Sequence, residues 1–307
     1  MVTKDLRMKT RETSFPPLLA LLGLLLSAIS CAPAAIAGAP AKYALIVGIS
    51  DYLDEDLADL TYPSSDADSL AGLLASQDWT VLTLKDTAAT KAGIRAGIAG
   101  LFQDIPADST ALIYYSGHGT ESGGNAFLVP SDYDPSSLSP LISPEELGAW
   151  ISEYIPTDNV IVIADSCYSG GFVGYSDSSD SISSPYDSSG GSVSISALAA
   201  LSDFGTLLAR NAEATGALAP IVISAAGNLE LSWETEVLGH GVFTYYLLES
   251  AAEGDADGNG YVTCTEAYTY AAKAVDREWN RLRYSSEGFY PHITDGLRDL
   301  ALFSAAN

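Results

Sequence analysis

Cysteine is scarce in this chain. Three occur in 307 residues, at positions 31, 167 and 264. That is too few for the disulfide framework that staples small secreted domains. Cys31 falls in an amino-terminal leader, which leaves Cys167 and Cys264. A single bridge between them is compatible with the sequence, but a nucleophilic Cys167 would have to stay reduced. Histidine is equally scarce: His118, His240 and His292 are the only imidazoles available as a base near neutral pH. Positive charge is short too. Fourteen Lys and Arg stand against 39 Asp and Glu, a formal net charge of -25. Such an excess repels nucleic acid and anionic membrane surfaces. It suits plain solubility or a cationic substrate. The chain also lacks any internal repeat.

Residues 1–37 read as a signal peptide. Lys4, Arg7, Lys9 and Arg11 form a basic start, and Leu18 to Ile29 is an apolar stretch too short to span a bilayer comfortably. Ala35-Ile36-Ala37 supplies the small residues of a cleavage site after Ala37. The protein is therefore expected to be exported, periplasmic or extracellular, with no membrane span in the mature chain. A lipobox ending at Cys31, with Ala28 in place of the usual large aliphatic residue, and an uncleaved anchor are the alternatives.

The remainder holds ample apolar material for a core, 47% of the whole chain. Short apolar runs at 42–49, 79–84, 111–115, 160–164 and 220–224 read as buried strands. Helical patterns that begin at Ser65 and at Ser143, and others at 87–102, 195–210, 241–253 and about 265–279, fall between and after them. Ser65 is the expected cap of the first helix, and Pro144 with Glu145 and Glu146 opens the third. A short strand or turn is expected at 126–130 and a last strand within 293–303. This alternation predicts an α/β fold with a mostly parallel central sheet and helices on both faces. One domain is expected over 42–303, with a Ser-, Asp- and Gly-rich flexible loop at 174–218. A monomer is the expected state.

The chemistry concentrates at two strand ends. Val160 to Ala164 is five apolar residues, four of them β-branched, running into Asp165-Ser166-Cys167-Tyr168-Ser169-Gly170-Gly171. Ala111 to Tyr115 likewise runs into Ser116-Gly117-His118-Gly119. In open α/β sheets ligands bind beyond the carboxyl ends of strands, so Cys167 and His118 share one edge. A thiol becomes a strong nucleophile once an imidazole takes its proton. The flanking glycines let a peptide approach and leave main-chain N–H groups for an oxyanion hole.

These two blocks resemble the catalytic histidine and cysteine blocks of metacaspase-like (orthocaspase) cysteine peptidases of the caspase fold. His118 and Cys167 lie 49 residues apart, close to the ~50 that separates this pair in caspases. The likeness extends through Ala44 to Ile49, Ser65-Asp66-Ala67, Thr90-Lys91 and Gly241-Val242-Phe243-Thr244. It implies a caspase-like three-layer sandwich and a Cys-His dyad, with Cys167 as nucleophile and His118 as general base and acid. It further implies an oxyanion hole from the N–H groups of Gly119 and Cys167, and an S1 pocket lined by Asp66 and Asp165. Two acids in a dry pocket select Arg or Lys at P1 of a protein or peptide substrate. It also implies self-cleavage, for which Arg210 is the only basic residue between Cys167 and the strand at 220–224. A non-catalytic caspase-like binding or signalling domain is one alternative, though such domains usually lack the His or the Cys. A clan relative with a different P1 choice is another, which Asp66 and Asp165 disfavour. His240 and His292 are read as structural.

One further motif stands apart. Residues 255–266 fit the EF-hand loop, with Asp255, Asp257, Asn259, Thr263 and Glu266 as side-chain ligands and the Tyr261 carbonyl as another. The chemistry of the dyad needs no cofactor, so Ca²⁺ bound here would be structural or regulatory. Cys264 packs inward in this reading.

Overall fold

The computed structural model describes residues 40–122, 125–166, 208, 218–226, 230–281, 288–294 and 298–305, all within one compact unit, Gly38–Asn307. Residues 1–37 lie outside the described residues, as do Cys167, Arg210 and, apart from Leu208 and Leu218, the expected loop at 174–218.

Four apolar runs form the parallel heart of the sheet: β1 (Lys42–Gly48), β2 (Trp79–Lys85), β3 (Thr110–Ser116) and β6 (Asn159–Asp165), joined by β7 (Ile221–Ser224). Counting the short antiparallel strand β11 (His292–Ile293), the order is β11-β7-β6-β3-β1-β2. Side chains alternate across a strand. Ala44, Ile46, Leu112, Tyr114, Ile161 and Ile163 accordingly enter one core, with α1 (Pro63–Ser76), α4 (Val242–Glu253) and α5 (Cys264–Ala274). Leu45, Val47, Ile113, Tyr115, Val162 and Ala164 enter the other, with α2 (Lys91–Phe102) and α3 (Pro144–Tyr154). Both faces are covered, which is why these strands are continuously apolar rather than alternating.

Several boundaries differ from the sequence expectations. Helix α1 starts at Pro63, with Tyr62 as its cap residue and no side-chain cap; Ser65 lies inside it. The reason is distant. The carboxylate of Glu234, 172 residues further along, accepts the N–H of Tyr62 at 3.0 Å, and Pro63 has no N–H to satisfy. Helix α2 starts at Lys91 rather than 87, because Asp86–Ala88 forms a 3-10 turn and the Thr90 hydroxyl caps Gly93 N–H. β4 (Gly119–Ser122) pairs antiparallel with β5 (Asn125–Leu128), where only the second of these strands is expected from sequence. The final helix ends at Ala274 and continues as a π turn, Val275–Asn280. The expected last strand is two: β11 on the main sheet, and β12 (Ala301–Ser304) paired with β10 (Tyr261–Thr263). The third helix does begin as expected, with Pro144 in its first turn and Ser143 and Glu146 in a reciprocal capping box.

Two details place the carboxyl edge. In the β3–β6 register Ser116 faces Asp165, so His118 and Cys167 each follow their aligned residue by two positions in sequence. Gly48 ends β1 against α1, where an added Cβ would stand 2.3 Å from the Pro63 carbonyl oxygen and 2.6 Å from the Ala67 Cβ. That close approach brings the first turn of α1, with Asp66, to the same edge.

Candidate active site

His118 leaves β3 after Gly117 and is only 2% exposed. Its backbone N–H donates to the Tyr52 hydroxyl at 2.7 Å, and its ring packs on the Tyr52 ring with centroids 4.9 Å apart. Its carbonyl accepts from the Tyr115 hydroxyl at 2.7 Å and from Val129 N–H at 3.1 Å. The ring atom Nε2 lies 2.7 Å from the Ala58 carbonyl oxygen. A carbonyl only accepts, so Nε2 carries the proton and Nδ1 carries the lone pair of the neutral ring. Burial lowers the His118 pKa, outweighing the Ala58 hydrogen bond and the charges of Glu234 and Asp59, which raise it. His118 is thus a neutral imidazole of defined tautomer at pH 7, the state a general base needs.

The two acids meet at the same edge. Asp66, in the first turn of α1, accepts from His240 Nδ1 at 2.8 Å, Ser116 Oγ at 3.1 Å and Gly241 N–H at 3.2 and 3.3 Å. Asp165, the last residue of β6, accepts from the Thr244 hydroxyl at 2.7 Å, Thr244 N–H at 3.2 Å and the Ser232 hydroxyl. Tyr114, fully buried, hydrogen bonds Thr244 Oγ1 at 2.6 Å. Gly241 separates the carboxylates. A Cβ there would stand 2.6 Å from Asp165 Oδ2 and 3.0 Å from Asp66 Oδ2, so only glycine lets both close in. Burial raises both pKa values, against the pull of these donors. Asp165, which also faces the charge of Asp66, is pushed up to about 6.

His118, Asp66, Asp165 and Ser166 line one cavity of about 200 Å³ at the sheet edge. Leu60, Pro63 and Trp233 supply apolar wall, and Glu234 adds a third acid. Gly119 opens β4 directly after His118 and is buried. The sequence reading missed Tyr52, Ala58, Ser232, Glu234 and Thr244. It gave His240 a structural role, and that residue stands on Asp66. Ala58 acts through its carbonyl, which leaves no mark in a sequence. The Gly241-Val242-Phe243-Thr244 resemblance was the one available signal for Thr244.

The loop at 255–266 is built from its own carboxylates. Asp255 accepts from the N–H groups of Gly258, Asn259 and Gly260 at 2.9–3.1 Å, and Asp257 from that of Asn259 at 3.0 Å. The Asn259 side-chain oxygen accepts Tyr261 N–H at 2.9 Å. Gly258 and Gly260 take φ of +71° and +89°, which glycine tolerates. Glu266 accepts Ala256 N–H at 3.0 Å and forms a capping box with Thr263 at the start of α5. One oxygen each from Asp255, Asp257 and Glu266 lie within 4.8 Å of one another, a hard oxygen set suited to Ca²⁺. Cys264 is buried, and burial drives its thiol pKa far up, so it is inert as a nucleophile.

Comparisons place this architecture. A family model described as Caspase domain matches residues 41–288. The human mucosa-associated lymphoid tissue lymphoma translocation protein 1 is 33% identical over 91 residues, 30% of this chain and 11% of that protein; the match spans about a tenth of that relative's length. Caspase-1 from Spodoptera frugiperda shares the fold at a TM-score of 0.56 and 12% identity, over 88% of this chain and 92% of that one. A solved protein from Geobacter sulfurreducens does so at 0.54 and 17%, over 86% and 98%. The caspase-like α/β sandwich expected from the strand-end motifs is therefore the fold of this chain.

The acid pair yields a pH test. A carboxyl whose pKa is raised by folding stabilises the fold where it is protonated. For Asp165 that contribution is full below the unfolded value of 3.8 and is lost as pH rises through about 6. Asp165→Asn carries no such titration. The unfolding free energy of the native protein relative to Asp165→Asn should fall between about pH 4 and about pH 7, as read by urea denaturation at each pH. A difference that is flat or rises with pH would contradict the buried-acid assignment.

Proposed function

The chain belongs to the caspase-domain family of peptidases, and from that premise we propose that it is an exported cysteine endopeptidase of the metacaspase type, cleaving after Arg or Lys. One observation carries the reading. A buried neutral imidazole and two buried carboxylates line the same cavity at the carboxyl edge of the sheet, and Cys167 follows Asp165 by two residues.

In this reading the Cys167 Sγ proton passes to His118 Nδ1, while Nε2 stays bonded to Ala58 and holds the ring in place. The thiolate attacks the scissile carbonyl carbon, and the N–H groups of Gly119 and Cys167 receive the oxyanion. The C–N bond breaks as the imidazolium returns its proton to the leaving amine. Water, deprotonated by the same ring, then hydrolyses the thioester and frees Cys167. The P1 side chain lays its alkyl stem on Leu60, Pro63 and Trp233 and brings its cation to Asp66 and Asp165. A P1 Asp would meet like charge there and be rejected.

The test is turnover of reporter peptides differing only at P1. Arg and Lys peptides should be cleaved and Asp and Asn peptides should not. Cys167→Ala and His118→Ala should each lower kcat/KM by about 10³ or more, and Asp66→Asn should act on Arg and Lys peptides through KM. Preferred cleavage after Asp would overturn the acidic-pocket reading. Absence of turnover on every peptide would favour a caspase-like binding domain.

Three accompanying elements belong to the proposal. The leader is removed after Ala37, and the enzyme cuts itself after Arg210. Intact-mass measurement of exported protein should give a chain starting at Gly38 and fragments meeting at Arg210–Asn211, with Cys167→Ala uncut at that bond. A stable single chain, or a cut elsewhere, would contradict self-processing there. The loop at 255–266 binds Ca²⁺ as a structural ion through Asp255, Asp257, Asn259, Tyr261, Thr263 and Glu266. Calcium should raise Tm by at least about 2 °C over chelator, and Asp255→Asn should abolish that difference. Equal Tm values in both would remove the ion from the account.

A further inference from the structure

Glu234 lines the cavity, yet its carboxylate faces the protein's own backbone. Oε1 accepts Thr61 N–H at 2.9 Å, and Oε2 accepts Thr61 N–H at 3.1 Å and Tyr62 N–H at 3.0 Å. These N–H groups stand at the amino end of α1, where an anion is favoured by the helix dipole. The Tyr62 carbonyl in turn accepts Asp66 N–H at 2.8 Å, so Glu234 grips the chain one helical turn before Asp66. Glu234 sits on β8 (Glu234–Thr235), which pairs with β9 (His240–Gly241) and aligns Glu234 with Gly241. From β9, His240 Nδ1 and Gly241 N–H both reach Asp66. The contacts close a ring: Glu234 to Tyr62, Tyr62 to Asp66, Asp66 to Gly241, and Gly241 back across the hairpin to Glu234.

We propose that Glu234 is a positioning residue for the P1 pocket, holding the β8–β9 hairpin against the start of α1 so that Gly241 stays wedged between Asp66 and Asp165. This rests on the reading of the cavity as the site for a P1 cation. The tolerance is small, because Gly241 has no room for even a methyl group between the two carboxylates. Drift of the hairpin would shift the donors His240 and Gly241 off Asp66 and change where the acids present their charge. The oxygens of Glu234 are aimed at the Thr61 and Tyr62 N–H groups, and its proposed role is this positioning rather than a contact with substrate.

The experiment compares native protein, Glu234→Ala and Glu234→Gln on P1-Arg and P1-Lys peptides. Alanine should raise KM about 10-fold with kcat within about 3-fold, and the ratio of Arg to Lys cleavage should move. Glutamine keeps one acceptor oxygen and should fall between. Alkylation of Cys167 by iodoacetamide, which needs no P1 pocket, should proceed at the native rate in all three proteins. Amide hydrogen exchange at Thr61 and Tyr62 should accelerate in the alanine variant. An unchanged KM and Arg-to-Lys ratio would overturn the proposal. So would unchanged protection at Thr61 and Tyr62, or loss of kcat and alkylation together with KM. If native protein cleaves none of the peptides, the peptidase reading fails and the pocket role falls with it, while exchange at Thr61 and Tyr62 still reports whether Glu234 ties the hairpin to α1.

Discussion

Two carboxylates buried side by side are the constraint around which this edge of the molecule is arranged. Asp66 and Asp165 are 1% and 5% exposed. Ionised carboxylates lose hydration there and repel each other, and unsatisfied they would be strongly destabilising. The surroundings supply donors from four directions: Ser116 from β3, Ser232 from the chain before β8, His240 and Gly241 from β9, and Thr244 from α4. Residues far apart in sequence converge because every oxygen of the pair needs a partner. Those same partners are already spoken for by the pair, so the site is built before any substrate arrives. Such preorganisation lets a pocket discriminate charge without rearranging.

The histidine is prepared by a separate set of contacts. The acidic loop after β1 delivers Tyr52 and the Ala58 carbonyl to His118. The first fixes the backbone and packs the ring; the second selects the tautomer. With Nε2–H committed to a carbonyl, the lone pair belongs to Nδ1. His118 follows β3 and Asp165 ends the neighbouring β6, whose register places Ser116 against Asp165; Asp66 joins them from the first turn of α1. The parallel sheet thus aligns the two motifs at one edge.

Much of the fold was legible because its signal is local. Buried strands such as Val160–Ala164 announce themselves by continuous β-branched runs, and α3 by Ser143, Pro144 and Glu146. The strand-end motifs carrying His118 and Asp165 were legible for the same reason. What escaped reading was long-range. Ser65 looked like a cap, but Glu234 overrode it from across the chain. Strand β4 was missed because Gly119–Ser122 has no alternating apolar pattern, its pairing coming from β5. His240 stands between glycines beside the Gly241–Thr244 likeness, which gives it no role, and only the folded chain brings it to Asp66. Local propensity is a weak guide wherever a distant side chain supplies the deciding hydrogen bond.

The central claim is that a nucleophilic Cys167 and a cation-selecting acid pair serve one substrate. Covalent labelling tests it most directly. Peptidyl chloromethyl ketones with Arg or Asp at P1 are incubated with the protein, and the modified residue is mapped by mass spectrometry. The account predicts a stoichiometric adduct on Cys167 with the Arg reagent, little with the Asp reagent, and neither when His118 is replaced by Ala. Equal or preferred labelling by the Asp reagent, or no adduct on Cys167 at all, would contradict it.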